Sequence, residues 1–172
     1  MTNTWTLYNP GKAFAAGACM LGILNGGTRH LKIRRIGMIN NQTAAVTGVI
    51  TAGELRFYTS ATWVGPTALT AVAHDSTNSA LSSVTCGHAG TPGGTGPSVF
   101  RRYTWSSDEP KLTTAQNNEW ECLIPLNIIW DAGYGDSNVQ PLTLNPGEGF
   151  FIWNITGAAG LCDFWIEFTD EA

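Results

Sequence analysis

Residues 130–154, WDAGYGDSNVQPLTLNPGEGFFIWN, hold the side chains best suited to metal or acid–base chemistry. Asp131 and Asp136 lie in a glycine-rich stretch, and Glu148 follows twelve residues later. An EF-hand loop that began at Asp131 would need oxygen ligands at its third and fifth positions and a glycine at its sixth. The chain has two glycines and then an aspartate at these positions, so the EF-hand pattern fails. A different calcium site that uses Asp131, Asp136 or Asn138 stays open.

Both parts of this stretch have a simpler interpretation as turns between strands. Pro146-Gly147 fits the two central positions of a type II turn, because proline presets the first dihedral angle and glycine accepts the positive second one. Gly149 permits a tight entry into the strand that follows. The acids and the asparagine of DAGYGDSN (131–138) can bond to their own backbone. The sequence therefore predicts two turns here rather than a catalytic or metal-binding loop.

The other titratable residues show no spacing typical of a catalytic site. Glu119 and Glu121 would share one face of a strand about 7 Å apart, which falls within the carboxylate separation of glycosidases. Such a pair more often forms a solvated face. His30, His74 and His88 occur singly, and the chain has neither a nucleophile elbow nor a phosphate loop. We therefore predict that the protein is not an enzyme and needs no metal or cofactor.

The four cysteines are Cys19, Cys86, Cys122 and Cys162, and no two of them have CxxC spacing. Their even number would allow two disulfides. Cys122 and Cys162 lie within apolar, strand-like runs, where a small buried thiol is common. We predict four free thiols, which suits assembly in a reducing cytoplasm.

The composition is that of one domain with few charges. The chain has 172 residues, of which 43% are apolar and only 13% charged, about half the usual charged share. Threonine, serine, asparagine and glycine replace the missing charge. Such a surface suits a protein that lies against other proteins, and it equally suits an ordinary secreted β domain.

Charge is distributed unevenly along the chain. All nine Lys and Arg lie in residues 1–111 together with four acids, whereas residues 112–172 contain nine acids and no base. The two halves either pair within the domain or leave a basic cluster free to face an acidic partner. That cluster consists of Arg29, His30, Lys32, Arg34 and Arg35. The net charge of −4 and the lack of an aromatic-interleaved basic motif argue against a nucleic-acid partner.

Strand-like runs dominate the chain. They are rich in β-branched and aromatic residues and are separated by Gly, Pro, Asn and Asp, which is typical of a sandwich or barrel. Alternation in residues 161–169 places Phe164, Ile166 and Phe168 on one face of a strand and Asp163, Trp165 and Glu167 on the other. We predict an all-β fold, a two-sheet sandwich of the jelly-roll type. Residues 87–97 lack periodicity and are predicted to form a mobile surface loop.

The first thirty residues are predicted to form an extended N-terminal arm and a first strand, and residues 31–172 a single β-sandwich domain. The apolar run 13–24 is too short and glycine-broken for a membrane span and lacks the flanks of a signal peptide. An extended arm would offer four large apolar side chains as anchors that contact a partner: Trp5, Leu7, Tyr8 and Phe14. The alternative is that they pack on their own domain.

Several strings of the sequence resemble a group of small, β-rich structural proteins of tailed-bacteriophage virions. These strings are TWTLYNPGKAF (4–14), MINNQTAAVTGVITAGE (38–54), FRRYTWSSDEP (100–110), ECLIPLNIIWDAGYGDSNVQPLTLNPGEGFFIWN (121–154) and DFWIEFT (163–169). Together they extend over nearly the whole chain, although none is a catalytic motif. No site residue can be carried over from this group.

The resemblance implies a place in a virion, with capsid decoration on the outer surface of the phage head as the expected role. The expected partners are the major capsid protein and further copies of this chain, as a homotrimer by analogy with other decoration proteins. Arg29, Lys32, Arg34 and Arg35 would face the negative partner surface. We expect assembly in the host cytoplasm and neither a nucleic-acid nor a membrane partner. The alternative is a tail, fibre or receptor-recognition module that binds carbohydrate.

Overall fold

The computed structural model describes residues 3–40, 49–96, 98–107, 127–132, 140–157 and 160–171. These residues form strands, turns and loops, and they contain no helix long and apolar enough to cross a membrane. The strands are β1 (Asn3–Ala13), β2 (Ala18–Asn25), β3 (His30–Asn40), β4 (Val49–Tyr58), β5 (Ala61–Val64), β6 (Thr67–Ala68), β7 (Val72–Ala73), β8 (Val84–His88), β9 (Thr91–Gly94), β10 (Ser98–Ser107), β11 (Asn127–Asp131), β12 (Leu142–Leu144), β13 (Gly149–Asn154) and β14 (Leu161–Glu171).

The strands form two six-stranded antiparallel sheets and one small ribbon. Sheet A has the order β11-β3-β14-β1-β7, and β12 also pairs with β3. Sheet B has the order β10-β4-β13-β2-β8-β6. The ribbon consists of β5 and β9. The all-β prediction is therefore confirmed.

The inner faces of the two sheets share one hydrophobic core, as in a β-sandwich. Sheet A contributes Trp5, Leu7, Ile33, Ile36, Phe164, Ile166 and Phe168, and sheet B contributes Met20, Ile23, Leu55, Phe150 and Ile152. The alternation predicted for β14 is confirmed. Phe164, Ile166 and Phe168 are fully buried, whereas Trp165 and Glu167 on the opposite face are partly exposed.

The extended N-terminal arm is not confirmed, because residues 3–13 form a long strand inside sheet A. β1 pairs with β14 from Asn3 opposite Asp170 to Ala13 opposite Leu161. Alternation along β1 directs Trp5 and Leu7 into the core, where they are 6% and 0% exposed. Trp5, Leu7 and Phe14, three of the four predicted anchors, are thus part of the core.

The segment between β4 and β10 is more ordered than its composition predicts. Thr91–Gly94 lies in the stretch that was predicted to be a mobile loop, yet it pairs with β5 as strand β9. This pairing uses backbone groups, so it needs no alternation of side chains and leaves no periodic signal in the sequence. In the same segment, β7 extends sheet A beside β1. β8 extends sheet B beside β2, and β6 pairs with β8 at the edge of that sheet.

The ribbon covers part of the outer face of sheet B and forms a second, smaller core. Phe151 is fully buried there, with the Trp63 ring 5.0 Å and the Tyr58 ring 5.6 Å from its own ring centroid. Glycines make room for it, since a Cβ on Gly22 or Gly149 would lie 2.5 Å or 2.7 Å from the Phe151 ring. Trp63 is fixed by a hydrogen bond from its Nε1 to the Ala89 carbonyl, 2.9 Å.

Candidate interaction face

Glu148 stabilises a turn. The Glu148 N–H donates to the Asn145 carbonyl (3.0 Å) and Gly147 has φ +83°, so the predicted type II turn is confirmed. The Glu148 carboxylate accepts hydrogen bonds from the Asn145 backbone N–H (2.7 Å) and from Asn145 Nδ2 (3.0 Å). These contacts give Glu148 a structural role in the turn Asn145–Glu148, which we call the PG turn.

Asp131 lies at the end of β11 and accepts a hydrogen bond from Arg35 Nε at 3.0 Å. Asp136 and Asn138, the other candidates for a calcium site, lie outside the described residues, as does the pair Glu119 and Glu121. No group of three or more His, Cys, Asp or Glu suited to a metal ion occurs within the described part of the chain.

The basic cluster is neutralised within the domain. Arg29 pairs with Asp170 at 3.2 Å, Arg34 with Glu171 at 3.4 Å and Arg35 with Asp131 at 3.0 Å, and Lys32 also contacts Glu171. The antiparallel register favours this pairing, because it places Arg35 opposite Asp131 and the start of β3 opposite residues 169–171 of β14. Of the two interpretations of the charge asymmetry, internal pairing describes this cluster.

An apolar row crosses the outer face of sheet A next to this charged region. The register places Ile128 opposite Gly37, Gly37 opposite Trp165, and Trp165 opposite Tyr8. Adjacent strands lie about 4.8 Å apart, so the row extends over about 14 Å. Ile128 is 43% and Tyr8 44% exposed. We call these four residues the outer row.

The two aromatic rings of the outer row are held in place from below. A Cβ on Gly37 would lie 2.3 Å from Cζ2 of Trp165. The Trp165 indole therefore lies directly over the Gly37 backbone, in space that a side chain at position 37 would fill. The Tyr8 hydroxyl donates to Asp163, whose other oxygen accepts the Gly11 N–H at 2.7 Å. The hydrogen bond to Asp163 raises the pKa of Tyr8 to about 12, and burial and the carboxylate charge act in the same direction.

Polar groups flank the outer row. On one side the register aligns Asp131, Arg35, Glu167 and Thr6 across the four strands. Thr6 Oγ1 lies 2.7 Å from His74 Nε2. This contact links the aligned polar residues to the segment that follows β7. An apolar centre with fixed aromatic rings and a polar surround is the usual arrangement of a protein-recognition surface.

The eight residues predicted to contact a partner lie in three places: on the outer face of sheet A or its edge, in the core, and, for the exposed Arg29, in the turn before β3. Tyr8, Lys32, Arg34 and Arg35 lie on the outer face or its edge and are partly exposed. Trp5, Leu7 and Phe14 are buried, so these three side chains present almost no surface to a partner. Sequence reasoning missed Ile128 and the role of Gly37, although the alternation of β14 already placed Trp165 on the outer face.

The outer face of sheet B carries a second ionic group, which is centred on Glu54. This carboxylate is only 5% exposed. Its Oε2 accepts from Nε and Nη2 of Arg56, both at 2.9 Å, and its Oε1 accepts from Nε and Nη2 of Arg102, at 3.0 Å and 2.9 Å. Arg56 also lies over the Trp153 ring, 4.6 Å from its centroid. This network joins strands β4, β10 and β13.

The thiols of Cys19, Cys86 and Cys162 are free and buried. Burial raises the pKa of each to about 12, so they lack the thiolate character of a nucleophile. Cys122 lies outside the described residues.

Lys12 Nζ lies 3.0 Å from His88 Nδ1. Burial and the Lys12 charge lower the pKa of His88.

Comparisons with family models, curated proteins and solved structures find no match to the chain.

Proposed function

We propose that the protein is a non-enzymatic virion structural protein, a decoration protein that binds the major capsid protein on the outer surface of a tailed-phage head. The resemblance of its sequence strings to phage virion proteins supports this role. The strand order is the structural observation that carries the proposal. The proposed location is the capsid surface, after assembly in the host cytoplasm.

Eight strands form the main part of the two sheets: β1, β2, β3, β4, β10, β11, β13 and β14. Along the chain they alternate between sheet A and sheet B, except that β4 and β10 follow each other in sheet B. Four of them have the order β11-β3-β14-β1 in sheet A, and four have the order β10-β4-β13-β2 in sheet B. The first and last strands are thus neighbours, as two Greek keys folded together require. We infer a jelly roll from this order, and jelly rolls are frequent in viral capsid proteins and lectins.

The outer row is the surface that we propose for attachment. Its central side chains are apolar or aromatic and fixed in position, which lowers the entropy cost of binding. The neighbouring charges already have partners within the domain, so an incoming protein surface need not supply counter-charges. Binding should therefore depend only weakly on salt.

Binding to undecorated phage particles tests this proposal. The full chain is mixed with particles, co-sedimented, and its copy number counted by electron microscopy. We expect occupancy in proportion to the lattice sites, and a homotrimer by light scattering. Absence of binding by the unaltered chain would overturn the proposed role.

Matched variants locate the contact surface. Tyr8→Ser removes an exposed aromatic ring from the outer row, whereas Val64→Ser removes an apolar side chain that is 71% exposed on the ribbon. We expect weaker particle binding, by about tenfold or more, for Tyr8→Ser alone, because central aromatic side chains dominate interface energies. Equal binding by both variants would exclude the outer row as the attachment surface.

A tail, fibre or receptor-recognition module is the second candidate. Trp165 and Tyr8 favour it, because two fixed aromatic rings with polar neighbours also suit a carbohydrate ligand. Electron microscopy separates the two, since this candidate places the protein on the tail in few copies. A glycan array with the full chain and with Tyr8→Ser provides the second readout.

A further inference from the structure

A half-enclosed cavity of about 360 Å³ lies at one end of the sandwich. It is bounded by the β2–β3 turn, by residues 79–84 and by the end of β14. Its lining is part apolar and part polar, and the polar part includes Thr28, Arg29, Ser79, Ser82 and Asp170. Its volume is within the range of small-molecule sites, about 300–1,000 Å³. The cavity is separate from the outer row and from the ribbon core.

Asp170 is the main chemical feature of this cavity. It is 5% exposed, and its Oδ2 accepts from Arg29 Nη1 at 3.2 Å. Its Oδ1 is buried and has no hydrogen-bond partner among the described residues. Buried carboxylate oxygens without a donor are rare in native proteins, because leaving them unpaired is costly. Asp170 lines the cavity, so its carboxylate is a group there with hydrogen-bonding capacity left over.

The walls of the cavity are held rigidly. A Cβ on Gly26 or Gly27 would lie 2.8 Å or 2.7 Å from the carbonyl oxygen of Ser83 or Ser82, so the turn is packed directly against the opposite wall. Ser83 has φ +58°, a strained value for a residue with a side chain.

Asn25 fixes the turn itself. Its Nδ2 donates to the carbonyls of Arg29 (2.8 Å) and Leu144 (3.0 Å), and its Oδ1 accepts the Gly27 N–H at 3.1 Å. The cavity is therefore formed before any ligand binds.

We propose that this cavity binds a neutral ligand with adjacent hydroxyl groups, of the size of a monosaccharide. The Asp170 carboxylate disfavours anions, and the Arg29 guanidinium beside it disfavours cations. Together they present an acceptor next to donors, which fits two neighbouring hydroxyls that each donate and accept. The hydroxyls of Thr28, Ser79 and Ser82 provide further groups of both kinds. This inference does not depend on the proposed decoration role.

Amide-resolved NMR titration of the full chain tests the proposal. The probes are glucose, galactose, mannose and N-acetylglucosamine, and the comparison ligands are butylammonium and acetate. We expect at least one sugar to cause saturable shifts at the amides of Thr28, Ser79 and Ser82, with neither ion doing so.

Variants decide whether Asp170 is responsible. Asp170→Asn keeps the shape but removes the charge, and we expect it to weaken sugar binding by about tenfold or more. Asp75→Asn is the matched control, because the exposed Asp75 carboxylate bonds to Thr77 and does not line the cavity, so binding should not change. If Asp170→Asn does not fold, the double variant Thr28→Val, Ser82→Ala replaces it and should show the same loss.

Three results would overturn the inference. The first is no saturable shift with any of the four sugars. The second is binding of butylammonium or acetate at these amides while the sugars have no effect. The third is sugar binding that persists unchanged in the folded Asp170 or Thr28/Ser82 variant.

Discussion

At the scale of single residues, carboxylates in this protein accept hydrogen bonds that hold neighbouring side chains and backbone N–H groups in place. Asp163 is the clearest example, because it is 6% exposed and holds both the Tyr8 hydroxyl and the Gly11 N–H. Glu148 similarly fixes the PG turn through Asn145. The sequence placed Glu148 beside the glycines of a turn and Asp163 on one face of a strand, and the structure shows that they bond to the backbone N–H groups of Asn145 and Gly11.

Tyr8 should titrate late. Its folded-state pKa of about 12 lies above the ordinary value of 10.0. The stabilisation from its hydrogen bond is therefore fully present below about pH 10 and is lost as the pH rises through 12. Absorbance titration near 295 nm should show a component with a midpoint near 12 that Tyr8→Phe removes. At neutral pH this variant should lose about 1–2 kcal/mol of unfolding free energy.

Asp163→Asn provides the control for this assignment. It removes the charge and leaves a weaker hydrogen-bond acceptor, so the Tyr8 pKa should fall part of the way toward its ordinary value. Tyr103 also has a raised pKa, caused mainly by burial, and its late component should persist in both variants. An unchanged midpoint near 12 in Asp163→Asn would contradict the role given to Asp163.

The buried thiols should not react in the folded protein. Cys19, Cys86 and Cys162 are buried and have pKa values raised to about 12, so little thiolate forms at pH 8. A thiol reagent should modify at most one of the four cysteines before unfolding. In denaturant without reductant the count should rise to four, and a lower count would indicate a disulfide.

At the scale of elements, the sequence predicted strands well wherever one side faces the core. The alternation in β14 gave the correct faces, because burial of every second side chain imposes a period of two. β9 was mistaken for a mobile loop because glycine-rich pairing leaves no such period. β1 was mistaken for an arm because Trp5 and Leu7 receive their core partners from β14, which lies more than 150 residues later in the chain.

Gly149→Ala should destabilise the packing of the ribbon on sheet B. The new Cβ would lie 2.7 Å from Phe151 and 2.8 Å from the Ala61 Cβ, and Phe151 is fully buried and cannot turn away. We expect a loss of about 1–3 kcal/mol in unfolding free energy. Gly157→Ala is the matched control, because its nearest contact would be 3.4 Å. Chemical denaturation measures both, and an equal loss in the two variants would contradict the packing described.

At the scale of the whole molecule, the two ends of the chain are joined in one sheet. β1 and β14 are neighbours, and the basic cluster near β3 pairs with acids of the C-terminal half. The strand-like runs predicted the all-β class, the length and composition predicted one domain, and charge counting left internal pairing as one of two alternatives. The candidate face was only partly predictable, because the outer row depends on the register of four strands. The hydrophobic pattern shows which face of each strand is buried. It does not show which strands are neighbours when their partners lie far apart in the chain.

Deletion of residues 1–12 should therefore unfold the protein. The deletion removes nearly all of β1, which lies between β14 and β7, and with it the buried side chains of Trp5 and Leu7.

Leu7→Ala alone should cost about 2–5 kcal/mol of unfolding free energy, since it leaves a cavity in the shared core. Thr4→Ala, on the opposite face of the same strand, should change stability by less than about 1 kcal/mol. Thermal melting followed by circular dichroism distinguishes these outcomes. A truncated chain that melts as cooperatively and at the same temperature as the full chain would restore the free-arm interpretation. Loss of the folded state in the truncated chain, with the contrast between Leu7→Ala and Thr4→Ala, would establish β1 as a core strand.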